Sequence, residues 1–68
     1  MTFSEHFKAA RKAVGLSQQE FADKLGLERS SISKYETGGS LPNIKNIPQI
    51  CENLNISINE LISWTNDK

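Results

Sequence analysis

Arg29, Ser30, Ser33 and Lys34 lie within one short stretch, spaced so that a helix shows them on one side: short hydroxyls flanked by two long cations. Such a face offers hydrogen bonds and positive charge to a polar, anionic partner. It does not offer bond-breaking chemistry. His6 is the only histidine and stands far from these serines in the chain, so they have no base beside them. Cys51 is the only cysteine, which excludes an internal disulfide and a cysteine metal cluster. No phosphate loop, metal set or nucleophile–base pairing is visible, so no enzyme, metal or cofactor is expected.

Two helices must position that face. Ser17 and Glu20 form an S-x-x-E capping box, and Phe21, Ala22 and Leu25 follow at helical spacing. Gly26 supplies the left-handed residue that ends a helix, and Leu27 is an apolar plug. A second helix is predicted from about Glu28 to Glu36, with Ile32 and Tyr35 on its inner side. Two short helices joined at a glycine, the second presenting polar side chains from its N-terminal end, is the layout of a DNA-reading helix-turn-helix.

The rest of the chain reads as scaffold. Thr2 and Glu5 form a second capping box, and Phe3, Phe7, Ala10 and Val14 make an apolar stripe over helix one, about residues 3–14, closed by Gly15. Helix two covers about 18–25 and helix three about 28–36, with Gly38 as its cap. Residues 37–42 are a turn-rich connector. Ile44, Ile47, Ile50, Cys51 and Leu54 are spaced for one buried face of helix four, about 45–54. Pro48 calls for an irregular first turn, with Asn43 as its cap. Asn55 ends that helix. Ser57 and Glu60 open helix five, about 58–64, in which Ile58, Leu61 and Ile62 fit the core and Trp64 faces elsewhere, as a partner contact; residues 65–68 are expected to fray. The fold class is all-α, five short helices in one domain spanning 1–68.

Sixty-eight residues with no disulfide make a marginal core, dependent on well-packed helices. Eight Lys and Arg balance eight Asp and Glu, a neutrality that does not favour a DNA binder. The distribution is uneven. Lys8, Arg11, Lys12, Lys24, Arg29 and Lys34 lie in the first half against Glu5, Glu20, Asp23 and Glu28, whereas the second half has only Lys45 and Lys68 against Glu36, Glu52, Glu60 and Asp67. So few cations neutralise few phosphates, and one copy alone is expected to hold DNA weakly and in a salt-sensitive way. No apolar run approaches membrane-spanning length, and a cytoplasmic, reducing setting is the expectation.

Taken in order, Arg11 with Gly15-Leu16-Ser17-Gln18, Glu20-Phe21-Ala22, Leu25-Gly26, Ser31-Ile32-Ser33, Tyr35-Glu36 with Gly38, Pro42, and Ile47, Ile50, Cys51, Leu54, Ile58, Leu61 and Ile62 resemble the lambda-repressor-like family. This is the compact five-helix DNA-binding domain of phage repressors, Cro proteins, restriction-modification controllers and other XRE-type regulators. The resemblance runs from about Phe7 to Ile62. It implies that Glu28, Arg29, Ser30, Ser33 and Lys34 face bases, with Arg29 as the principal reader because its planar fork matches guanine O6 and N7. It implies phosphate contacts from Ser17, Gln18, Ser31, Thr37, Ser40, Asn43 and Lys45, with Gln18 also buttressing helix three. It implies an ion pair of Arg11 with Glu36 that ties helix one to the end of helix three.

Three residues or pairs depart from the family. Glu28 puts an acid near phosphate, where it either accepts from cytosine N4 or caps helix three. Gly39-Ser40 replaces the cations often found after helix three. Cys51 stands where alanine is common and is read as a small core residue. Glu20 and Asp23 read first as a cap and a solvated acid; in activating family members the same helix touches RNA polymerase. The expected function is a sequence-specific regulator of transcription, binding double-stranded DNA as a homodimer. The alternative is a protein-interaction module of antitoxin or anti-repressor type on the same fold, which net neutrality and the uncharged loop favour.

Overall fold

The computed structural model describes residues 2–65. Among them the chain forms five α-helices: α1 (Phe3–Ala13), α2 (Gln18–Leu25), α3 (Arg29–Thr37), α4 (Ile47–Leu54) and α5 (Ile58–Thr65), with one 3-10 turn, Ile44–Asn46, leading into α4. No β-strand occurs among the described residues.

Local sequence sets both ends of most helices. At α1 the Thr2 hydroxyl accepts from the Glu5 N–H, while the Glu5 carboxylate accepts from the Thr2 N–H at 2.9 Å. Ser17 and Glu20 do the same at α2. At α5 the Ser57 hydroxyl accepts from the Glu60 N–H at 3.0 Å. Four C-terminal ends share one closure; at α3 Gly38 is left-handed and the Gly39 N–H reaches the Lys34 carbonyl, and at the other three the follower is apolar. Gly15, Gly26 and Asn55 are left-handed, and the next residue's N–H reaches back across the last turn: Leu16 to the Arg11 carbonyl, Leu27 to Ala22, Ile56 to Cys51. Those three followers are the half-buried apolar residues that pack on the core beneath each corner. Each Gly-Leu or Asn-Ile pair thus ends one helix and docks the next.

The core joins all five helices. Phe7 of α1 is fully buried at its centre, with ring centroids 5.7 Å from Phe3, 5.6 Å from Phe21 of α2 and 5.7 Å from Tyr35 of α3. Ile32, Ile50, Cys51, Leu54 and Leu61 complete it. Removing such a ring costs about 3–5 kcal/mol, comparable to the whole stability expected of so small a core. Cys51 is buried, and its thiol is pushed up by that burial and, to a lesser degree, by the Glu60 charge.

The structure corrects five expectations about the scaffold. Ile44 is not on a buried face: it is 84% exposed. The 3-10 turn that Asn43 caps, its side chain accepting from the Lys45 N–H at 3.1 Å, advances by three residues per turn and takes Ile44 out of phase with α4. Pro48 then sits in the first turn of α4, where its missing N–H is harmless. Trp64 is not a projecting side chain. It is 7% exposed, packed edge-on to Phe3 at 6.2 Å and stacked on His6 at 5.3 Å. Leu61 and Trp64, three residues apart, define the inner side of α5, so Ile58 and Ile62 fall outside it, 46% and 48% exposed. Thr65 belongs to α5 and its hydroxyl donates to the Ile62 carbonyl; the remainder of the expected frayed tail lies outside the described residues. Finally, α3 begins at Arg29. Glu28 is extended, φ −81° and ψ 150°, and its carboxylate does not cap the helix but accepts from the Ser30 hydroxyl at 3.4 Å.

Candidate nucleic-acid interface

The α3 helix packs on both α1 and α2 through Ile32 and Tyr35. Residues advance about 100° each around a helix, so the opposite arc carries Arg29, Ser33, Thr37, Ser30 and Lys34 in turn. Arg29, Ser30, Lys34 and Thr37 are exposed, and Ser33, next to Arg29 on the arc, is half-buried. Four of the five residues expected to face bases therefore share one surface. The fifth, Glu28, stands at the entrance of α3 with its carboxylate exposed.

The residues expected at phosphates divide. Thr37 shares the arc, though its hydroxyl donates to the Lys34 carbonyl at 3.4 Å. Ser40, Asn43 and Lys45 are exposed between α3 and α4, Asn43 as the cap of the 3-10 turn that holds Lys45. Ser17 is exposed, but its hydroxyl is engaged in the α2 cap. What α2 presents at that end is its first N–H groups with the positive end of the helix dipole. Ser31 lies on the other side of α3, half-buried beside Tyr35.

A buried network ties the arc to the core. Arg11 is almost fully buried, and its Nε and Nη2 donate to the two carboxylate oxygens of Glu36, Nη2 at 3.1 Å. Nη1 donates to the Leu16 carbonyl at the α1–α2 corner. Gln18 Nε2 donates to Glu36 Oε1 at 3.1 Å. A carboxylate only accepts, so the Gln18 amide must turn its nitrogen inward and its oxygen outward. That oxygen accepts from Arg29 Nη1 at a long 3.5 Å. Two helix corners and the first residue of α3 are thus joined through one carboxylate. No buried side-chain nitrogen or oxygen among the described residues lacks a partner, which is the condition under which such a network rigidifies rather than weakens a core.

On α2, the Glu20 carboxylate is engaged in the capping box and Asp23 accepts from Gln19 Nε2 at 2.8 Å. The described residues contain no His, Cys, Asp and Glu cluster that could hold a metal ion, and no helix is long and apolar enough to cross a membrane.

Five helices with α2 and α3 crossing at a glycine corner, and a polar arc on α3, define a helix-turn-helix domain. A family described as Helix-turn-helix matches residues 7–61, and the chain belongs to this lambda-repressor-like family. It is 38% identical, over its whole length, to the cryptic phage CTXphi transcriptional repressor RstR of Vibrio cholerae, and spans 62% of that protein. Among solved structures it is similar to the restriction-modification controller protein C.AhdI from Aeromonas hydrophila, with 34% identity, a TM-score of 0.78 and coverage of 87% of this chain and 89% of that one. It is also similar to the master regulator for biofilm formation SinR, solved in complex with DNA, with 27% identity, a TM-score of 0.80 and coverage of 90% and 98%.

Proposed function

We propose that this chain is a sequence-specific regulator of transcription that binds double-stranded DNA. The observation that carries this reading is the polar arc of α3, held in place through Gln18 and Glu36 by the buried Arg11. In this reading α3 enters the major groove. Arg29 donates to guanine O6 and N7, Ser30 and Ser33 tolerate several bases, Lys34 reads or steers from one turn on, and Glu28 accepts from cytosine N4. Lys45, Ser40, Asn43, Thr37 and Gln18, with the N–H groups at the start of α2, hold the flanking phosphates. Ser31 has the weakest claim to such a contact because it lies off the arc. The relationship to a named transcriptional repressor, and to a regulator crystallised on DNA, supports the same reading.

The protein acts as a homodimer in this account, because one copy neutralises few phosphates. Each copy measures 28 × 23 × 22 Å, so two side by side can set their α3 helices ~34 Å apart, one turn of duplex, on a near-palindromic operator. Its setting is the cytoplasm, it carries out no catalysis, and contact with RNA polymerase through the α2 face is a secondary role. The rival, an interaction module, draws on the exposed apolar residues outside α3. Selection from a random duplex library separates the two. Enrichment of a near-palindromic consensus that is lost in Arg29→Ala supports the regulator. No enrichment at low salt rejects it.

A further inference from the structure

We propose that Leu41 and Ile44 are an apolar clamp on deoxyribose. They lie on the sugars of the strand whose phosphates Ser40, Asn43 and Lys45 hold, and so make the protein select DNA against a ribose-containing duplex. This rests on the reading that α3 binds DNA and adds a second kind of contact to it.

Among the described residues the exposed large hydrophobics are Leu41, Ile44, Ile58 and Ile62. Position sets the first pair apart. Ile58 and Ile62 belong to α5, which packs on α1 and α4. Leu41 and Ile44 belong to the segment that leaves α3. At its first step, a side-chain carbon on Gly39 would touch Cβ and Cγ of Lys34 at 3.6 Å. The segment therefore departs along the flank of the polar arc that carries Lys34. Beyond it Leu41 is 61% and Ile44 84% exposed.

The exposure of Ile44 is built into the backbone. Asn43 is extended, and its side-chain oxygen accepts from the Lys45 N–H, which fixes the 3-10 turn. That turn sends Ile44 outward while Ile47 and Ile50 pack on the core. Exposed polar residues bracket both apolar side chains: Ser40 precedes Leu41, and Asn43 and Lys45 flank Ile44. A DNA strand carries the matching alternation. Between successive phosphates lies a deoxyribose whose C2′ bears only hydrogen. An isoleucine laid on that carbon takes apolar surface out of water. Laid on ribose it would cover the 2′-hydroxyl and strip its water without replacing the hydrogen bond. The charge balance points the same way. Residues 39–44 carry no charge and the chain is neutral overall, so the grip of this segment on the backbone rests mainly on contacts that salt does not screen.

Anisotropy titrations of a selected duplex across salt, with Leu41→Ser/Ile44→Ser beside the parent, test this. The double variant is expected to keep its circular dichroism, since both side chains are exposed, and to lose about tenfold in affinity. Its slope of log affinity against log salt is expected to match the parent's, because no phosphate contact is removed. Single ribonucleotides are then placed in turn along each strand. At one or two positions per half-site the parent is expected to lose about fivefold, and the double variant nothing further. The variant thereby controls for any change in duplex shape. A double variant that binds like the parent, a loss that comes with a shallower salt slope, or ribonucleotide penalties equal in both proteins overturns the clamp while leaving α3 as the reading helix. So does a change in sedimentation between parent and variant without DNA, which would assign the pair to a protein contact. A parent with no preference among duplexes rejects the proposed function and the clamp together.

Discussion

Gln18 and Glu36 are joined by a 3.1 Å hydrogen bond between the first turn of α2 and the last turn of α3. Its direction is fixed, since Glu36 already holds both Arg11 donors and can only accept. The outer end of the Gln18 amide is therefore an oxygen, and the residue it meets, Arg29, is a donor. Recognition geometry at the start of α3 is thereby referred to a charge pair buried against α1.

That arrangement predicts a large loss from breaking the pair. Glu36→Ala leaves the buried Arg11 guanidinium without its counter-charge, and unfolding free energy should fall by about 3–5 kcal/mol. Arg11→Met with Glu36→Leu removes both charges and should recover much of it. Urea denaturation of the three variants checks this; equal losses in the single and double variants would contradict it.

Arg29 and Lys45 should differ in kind. Arg29→Ala is expected to cost about 1–3 kcal/mol at one base pair and to relax preference there. Lys45→Ala is expected to weaken all duplexes alike and to reduce the slope of log affinity against log salt by about one. Binding to single-substitution operator variants at several salt concentrations distinguishes them.

Gly26 closes α2 at φ +69° with nothing near where a Cβ would sit. Alanine there meets backbone strain alone, so Gly26→Ala should cost about 1–2 kcal/mol, read as a lower midpoint in urea with an unchanged slope. Asn at the same position, which tolerates this conformation as Asn55 does at φ 59°, should cost less.

Acid should weaken the helix starts. The Glu5 and Glu20 carboxyls are held below their ordinary 4.5, first by the backbone N–H of Thr2 and of Ser17, then by those residues' hydroxyls. Folded values below unfolded ones mean that their contribution is complete above pH 4.5 and is lost as pH falls through the lower folded values. Melting temperature against pH should decline below 4.5, and less steeply in Glu5→Gln/Glu20→Gln, where the glutamines still cap but do not titrate.

Much of the fold is legible in the residues because its signals are local. The capping pairs Thr2–Glu5 and Ser17–Glu20, the stops at Gly15, Gly26, Gly38 and Asn55, and the awkward Pro48 each act within four residues. What is not legible depends on phase. Spacing alone puts Trp64 and the isoleucines of α5 on the wrong sides, because an eight-residue apolar helix has more than one plausible inner face. Phe3 and His6, at the other end of the chain, choose Trp64. Ile44 fails for a related reason: one 3-10 turn shifts the register that carries Ile47 and Ile50 inward. At the interface, the Arg11–Glu36 pair follows from the family pattern. The same pattern implies that Gln18 buttresses helix three, but that its partners there are Glu36 and Arg29 depends on the packing angle of α2 on α3, which spacing does not encode.

The central claim is that α3 reads sequence, and fluorescence-anisotropy titration of a selected duplex against a shuffled one of the same composition, repeated across salt, tests it most directly. The account predicts tighter binding to the selected duplex at every salt concentration, a steep loss of both affinities with salt, and a gap that closes in Arg29→Ala. Equal affinity for the two duplexes, or no binding to either at low salt, would contradict it.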